Sequence, residues 1–100
     1  TSTPSLSPDA KTVYFSYDGD IWSTDINGGN ASRIIALEGE EINPRVSPDG
    51  KWLAFSSNQY GNYDIYVMPI NGGKIKQLTF HQWATSWVYN DVGCKVQYAF

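Results

Sequence analysis

The chain has 100 residues, of which 41% are hydrophobic and 17% charged, with ten Asp and Glu against seven Lys and Arg and a formal net charge of −3. The cations are scattered, so the phosphate-neutralising patch that drives nucleic-acid binding is missing, and no apolar run approaches the roughly 18 residues of a membrane-spanning helix. With Cys94 the only cysteine and His81 the only histidine, an intrachain disulfide is excluded and no Cys/His metal set can be assembled.

In chain order the signals are β throughout. Pro4-Ser5-Leu6 reads as a short strand leading into Ser7-Pro8-Asp9-Ala10, a turn in which proline presets φ and Asp can bond its own backbone. Lys11 to Ser16 follows, with Val13 and Phe15 on one face at period two. Tyr17-Asp18-Gly19 is a second turn, Asp20 to Ile26 a third strand, Asn27-Gly28-Gly29 a third turn, and Arg33-Ile34-Ile35 a fourth strand. The Asn-Gly-Gly signal suggests a type I′ hairpin, which needs positive φ at both central residues. Ala10 occupies a position where glycine would tolerate positive φ, so this turn is either costlier than its counterpart below or of a type that avoids positive φ.

After the acidic run Glu38-Gly39-Glu40-Glu41 the same words return. Pro44 to Ser47 is a short strand, Ser47-Pro48-Asp49-Gly50 a turn and Lys51 to Ser56 a strand with Leu53 and Phe55 on one face. Asn58 to Asn62 forms a longer turn, Asp64 to Ile70 a strand, Asn71-Gly72-Gly73 a turn and Lys76 to Phe80 the last strand. Over the 23 positions that align without gaps, 4–16 with 44–56 and 20–29 with 64–73, 13 are identical. A third copy is worn: Thr85 to Asp91 stands where Pro44 to Gly50 stood, without the prolines, and Lys95 to Phe100 echoes the Ala-Phe ending of the second strand.

Self-similarity at a period near 40 marks a repeat architecture, in which one unit needs neighbours to bury its apolar face. Four-stranded antiparallel units of this length, stacked about an axis, describe an all-β β-propeller fragment of about two and a half blades. The expected units are residues 1–43, 44–84 and the start of a degenerate third at 85–100. A β-sandwich also uses short strands at this spacing, but it does not require strand and turn chemistry to recur in register.

The string Ser47-Pro48-Asp49-Gly50-Lys51, the turn Tyr60-Gly61-Asn62-Tyr63-Asp64, Ile65-Tyr66-Val67-Met68-Pro69, Asn71-Gly72-Gly73 and Gln77-Leu78-Thr79 resemble the repeat of TolB-like propellers. Tyr17 to Trp22 and Gln59 to Pro69 are most similar to the amino-terminal propeller of tricorn-type serine peptidases. Ala10 and the third copy's missing Pro and Gly depart from the pattern. The resemblance implies a non-catalytic ring that binds or gates peptides beside a separate peptidase domain. Its alternative implication is a TolB-like module that docks a protein partner without chemistry. It further implies a periplasmic or secreted setting, with the remaining blades supplied by a longer parent chain or by self-association.

No catalytic constellation accompanies the fold. The recurrent Asp9 and Asp49, and Asp20 and Asp64 at the strand starts, fit turn roles better than paired acid–base work. Neither Asp18-Gly19-Asp20 nor Glu38 to Glu41 has the alternating ligand spacing of a calcium loop, and the second run is expected to be a solvated connection. No Gly-x-Ser-x-Gly elbow or phosphate loop is present, so no metal or cofactor is expected. Asn30-Ala31-Ser32 matches a glycosylation sequon. Tyr60, Tyr63, Trp83 and Trp87 are the candidate rim for a peptide or protein partner, since Tyr and Trp are favoured interface anchors. Neither nucleic-acid binding nor membrane insertion is expected.

Overall fold

The computed structural model describes residues 3–79, and beyond them only the backbone of 87–89 and 95–97. Strands β1 (Ser5–Leu6), β2 (Thr12–Tyr17), β3 (Asp20–Asp25) and β4 (Ser32–Ile35) form one four-stranded sheet; β5 (Glu41–Val46), β6 (Trp52–Ser57), β7 (Asp64–Pro69) and β8 (Lys76–Gln77) form a second. Both are antiparallel meanders in which every strand pairs with its neighbour in sequence. A separate antiparallel pair joins β9 (Trp87–Tyr89) and β10 (Lys95–Gln97). No strand is exchanged between the four-stranded sheets and no helix occurs among the described residues.

The repeated turn chemistry acts identically in both copies. Ser7 Oγ donates to Asp9 Oδ1 at 2.6 Å, the same carboxylate oxygen accepts Lys11 N, and Thr12 N donates to Ser7 Oγ. Ser47, Asp49, Lys51 and Trp52 repeat this network with the same distances. These donors hold both Asp carboxyls below their ordinary value, the serine hydroxyl first and the lysine amide second. The two turns also touch, because a Cβ on Gly50 would lie 3.2 Å from Pro8 Cγ.

Gly50 sits at φ +75° and Ala10 at φ +59°, which settles the question raised by the first turn: it keeps the left-handed geometry and accepts the cost. For an L-residue that cost is roughly 1–2 kcal/mol, partly offset by the lower unfolded-state entropy of alanine. Ala10→Gly is therefore expected to stabilise the chain by about 0.5–1 kcal/mol, read as a higher urea midpoint at unchanged slope; a lower midpoint would contradict this account of the turn.

The Asn-Gly-Gly turns differ from expectation. Positive φ falls on Gly28 and Gly29, and on Gly72 and Gly73, but not on Asn27 or Asn71. The turns close one residue earlier, through Gly28 N to Asp25 O and Gly72 N to Pro69 O, both 2.9 Å. The paired glycines then swing the chain back into β4 and β8. The two-residue hairpin with both central φ angles positive is instead Asp18-Gly19, at +52° and +82°, between the paired residues Tyr17 and Asp20.

The sheets pack face to face. Tyr14, Ile21 and Ile35 of the first meet Leu53, Phe55, Tyr66 and Met68 of the second in one buried cluster, with the Phe55 and Tyr66 rings stacked at 5.7 Å. By the repeat alignment, Leu53, Phe55, Tyr66 and Met68 correspond to Val13, Phe15, Trp22 and Thr24. The second set lies on the opposite face of the first sheet and is only half-buried. The first sheet thus offers on its outer side the same face that the second buries against it, as expected of stacked repeats.

A cleft at one end of the two sheets

One end of the assembly gathers the β2–β3 turn, the 36–40 connection, the start of β5 and the β6–β7 loop around a cleft of about 690 Å³ lined by Ser16, Asp18, Gly19, Glu40, Ile42, Asn43 and Tyr63. The connection is clamped from both sides. Glu41 N donates to Gly19 O, and Ser16 Oγ donates to Glu41 O at 2.7 Å. Glu40 N donates to Asn58 Oδ1 at 2.7 Å while Asn58 N donates back to Glu40 O. Gly39, at φ +89°, fits against Asn58 and Gln59 with no room for a side chain.

The floor of the cleft is a bulge in β5. Between the pairs Ile42↔Ser56 and Arg45↔Ala54 the strand carries one residue too many, and Asn43 takes up the excess at φ +54°. Asparagine tolerates that conformation better than most residues. Pro44, buried behind it, has no N–H to contribute to a ladder and is tolerated at a bulge. β5 therefore begins at Glu41, three residues before the strand start expected at Pro44.

That shift overturns the reading of Glu38 to Glu41 as uniformly solvated. Glu38 and Glu40 are exposed, but Glu41 is fully buried opposite Ser57. Its Oε1 accepts Leu37 N at 2.9 Å and its Oε2 accepts Ser57 Oγ at 3.2 Å. Burial raises its carboxyl above the ordinary value; the Leu37 amide and Ser57 hydroxyl oppose this, and the charges of Asp20 and Glu40 add to it. Asp64 is likewise buried and accepts Thr79 Oγ1 at 2.9 Å, while Thr79 Oγ1 accepts Ile65 N. Asp20 faces Arg33 at 3.5 Å. These carboxylates join strands to one another, and no group of three or more His, Cys, Asp or Glu among the described residues is arranged to hold a metal ion.

Of the candidate rim residues, Tyr63 lines the cleft, half-buried. Its phenol is raised above the usual range by burial first and by Glu40 and Glu41 second. Tyr60 shares the loop but is 65% exposed and outside the cleft. Trp83 lies outside the described residues, and Trp87 is described only as backbone at the start of β9. The sequence singled out neither Ser16 nor Asn43, and weighed Asp18, Gly19 and Glu40 only within two separate acidic runs; the convergence of three connections brings them together. The lining is rich in acceptors, partly aromatic and half-open. It suits a ligand that presents N–H groups, and it lacks a nucleophile paired with a base.

The family described as the tricorn protease N-terminal beta propeller domain matches residues 1–94. Among curated relatives, Tricorn protease homolog 1 of Streptomyces coelicolor is 36% identical over 72 residues, 72% of this chain and 7% of that protein. Tol-Pal system protein TolB of Syntrophus aciditrophicus is 34% identical over 61 residues, 61% of this chain and 14% of that protein. Among solved structures, TolB from Acinetobacter baumannii overlays with a TM-score of 0.72 at 28% identity, covering 93% of this chain and 25% of that one. The tricorn protease overlays at 0.66 and 21% identity, covering 90% and 10%, a likeness of fold alone. The chain thus spans a small fraction of the relatives it matches. Its two meanders are β-propeller blades, and the chain belongs to the tricorn protease N-terminal β-propeller family.

Proposed function

We propose that the chain is a non-catalytic propeller segment of a larger tricorn-like serine peptidase and that the cleft at its Tyr63 end binds or gates peptide. The observation that carries this is the convergence of the β2–β3 turn, the inter-sheet connection and the β6–β7 loop on one acceptor-rich hollow. A peptide supplies both the backbone N–H groups for such a lining and the apolar side chains for Tyr63. The division into blades at 1–43, 44–84 and 85–100 belongs to the same proposal, as do the remaining blades, contributed by the parent chain or by self-association.

Two measurements test it. Cleavage of unfolded polypeptide by the full-length parent should vanish when its own catalytic serine is replaced; a parent without a peptidase domain removes the peptidase reading. Tyr63→Ala should weaken binding of reduced, alkylated casein by about five- to thirtyfold, the effect of truncating an interface aromatic. An unchanged affinity would remove the cleft from the account. The second reading, a TolB-like module that docks a folded protein without chemistry, is favoured by the overlay with TolB at a TM-score of 0.72, and it predicts tighter binding to a folded partner than to casein.

A further inference from the structure

Among the described residues only Ala10, Asp18 and Asn43 hold a positive φ without being glycine. Asp18 and Asn43 both line the cleft at the Tyr63 end. Asp18 is explained by its two-residue hairpin, whose geometry calls for the left-handed region. No turn calls for it at Asn43, which lies inside β5. The proline that follows would by itself favour extended backbone there, so φ +54° comes from the bulge. Left-handed backbone at a residue other than glycine gathers at binding and catalytic sites, and bulges re-aim side chains beside them.

Internal comparison shows that the blade does not require the bulge. Carrying the repeat alignment one residue back sets Thr3-Pro4 against Asn43-Pro44. Thr3 has no positive φ, and the first sheet's opening strand begins only at Ser5 and pairs with β2 without a register shift. Nor does the bulge require asparagine, because glycine takes φ +54° without strain. What asparagine adds is a carboxamide, which carries both hydrogen-bond donors and an acceptor. Asn43 is half-buried, and no hydrogen bond joins its carboxamide to another described residue. Ser16 Oγ, in the same cleft, is by contrast committed to Glu41 O.

We propose that Asn43 makes the cleft selective for extended polypeptide backbone: its Nδ2 donates to a peptide carbonyl and its Oδ1 accepts the N–H beside it. In an extended chain the N–H and C=O of one residue point to the same side, so a single carboxamide meets both. Tyr63 then packs on a neighbouring side chain of the same ligand. The proposal rests on the reading of the cleft as a peptide site and narrows it to main-chain recognition, which tolerates many sequences.

The test measures binding to the chain by fluorescence polarisation, with fluorescein-labelled reduced, alkylated casein and a labelled peptide, Ala-Ser-Leu-Ser-Leu-Ser-Ala. Two depsipeptides replace the amides of its odd or of its even residues with esters, which deletes N–H groups while leaving the shape nearly unchanged. Asn43→Gly should weaken binding of casein and of the peptide by about tenfold, the worth of a pair of neutral hydrogen bonds, with an undiminished urea midpoint. One depsipeptide should bind the native chain about fivefold less tightly than the peptide does, and the Asn43→Gly chain should not distinguish the two. Unchanged affinity in Asn43→Gly, depsipeptides that bind the native chain as the peptide does, or an equal ester penalty in both chains would each overturn the proposal while leaving a Tyr63-dependent cleft in place. A urea midpoint that falls along with the affinity would make Asn43 structural and overturn it as well. A native chain that binds neither casein nor the peptide would remove the peptide reading itself, and the proposal with it.

Discussion

Phe55→Ala is expected to destabilise the chain by about 3–5 kcal/mol, the loss typical of deleting a buried aromatic. Phe55 is 1% exposed, stacks on Tyr66 and stands at the centre of the cluster joining the sheets. Its truncation removes apolar contact and leaves a cavity between two strand faces that cannot collapse without shifting both ladders. The repeat supplies an internal control. Phe15 holds the aligned position in the first unit, in a strand of the same length and after the same turn, but it lies half-buried on that sheet's outer face. Phe15→Ala should therefore cost about 1–2 kcal/mol, in proportion to the smaller area removed from water. Urea unfolding of the two variants side by side measures the contrast. Equal losses would show that the cluster at Phe55 is not what holds the sheets together.

The second large effect concerns Glu41. Glu41→Ala strips two acceptors at once, leaving the Leu37 amide and the Ser57 hydroxyl proton without a partner beneath the connection, and should cost about 2–4 kcal/mol. Glu41→Gln keeps the shape and an acceptor for Leu37 while removing the charge, and it exposes the pH dependence. Because burial raises the Glu41 carboxyl above its ordinary 4.5, the folded chain binds more protons there than the unfolded chain, and stability falls as pH rises. Its favourable contribution is complete below 4.5 and is lost as pH climbs through the raised folded value.

The native chain should accordingly be at its best relative to the Gln variant near the acid end of that window and lose ground toward neutrality. Asp9 and Asp49, held low by Ser7 and Ser47, act with the opposite sign and only as pH falls below their ordinary 3.8, so they do not blur the comparison. A stability difference that stays flat from pH 4.5 upward would show that Glu41 titrates normally.

The fold was legible because its punctuation is chemical. Ser-Pro-Asp and Asn-Gly-Gly carry their own hydrogen bonds and φ preferences, so their recurrence marks strand ends without tertiary information. Ala10 shows the limit of that reasoning: the sequence posed two ways of accommodating it, and contact of the following turn with Pro8 accompanies the strained one. The Asn-Gly-Gly hairpins were correctly located, but their type depended on where Asp25 and Pro69 closed the turn.

The cleft was less legible for the same physical reason. Glu41 is the last of three glutamates that look alike in sequence, and only its pairing with Ser57, sixteen residues on, takes it out of solvent. The bulge at Asn43 that re-aims the strand is a consequence of the same long-range register. Tyr60 and Tyr63 were indistinguishable as rim candidates, because no periodicity fixes side-chain direction in a loop. The packing of Tyr63 beside Glu40 separates them.

The central claim is that two consecutive meanders are neighbouring blades of one ring. An experimental structure of the complete parent protein tests it most directly. The account predicts another four-stranded meander seated on Val13, Phe15 and Trp22, meeting them as Tyr14, Ile21 and Ile35 meet Leu53, Phe55 and Tyr66. A parent in which that face stays open to water, or in which the two sheets close on each other as an isolated pair, would contradict it.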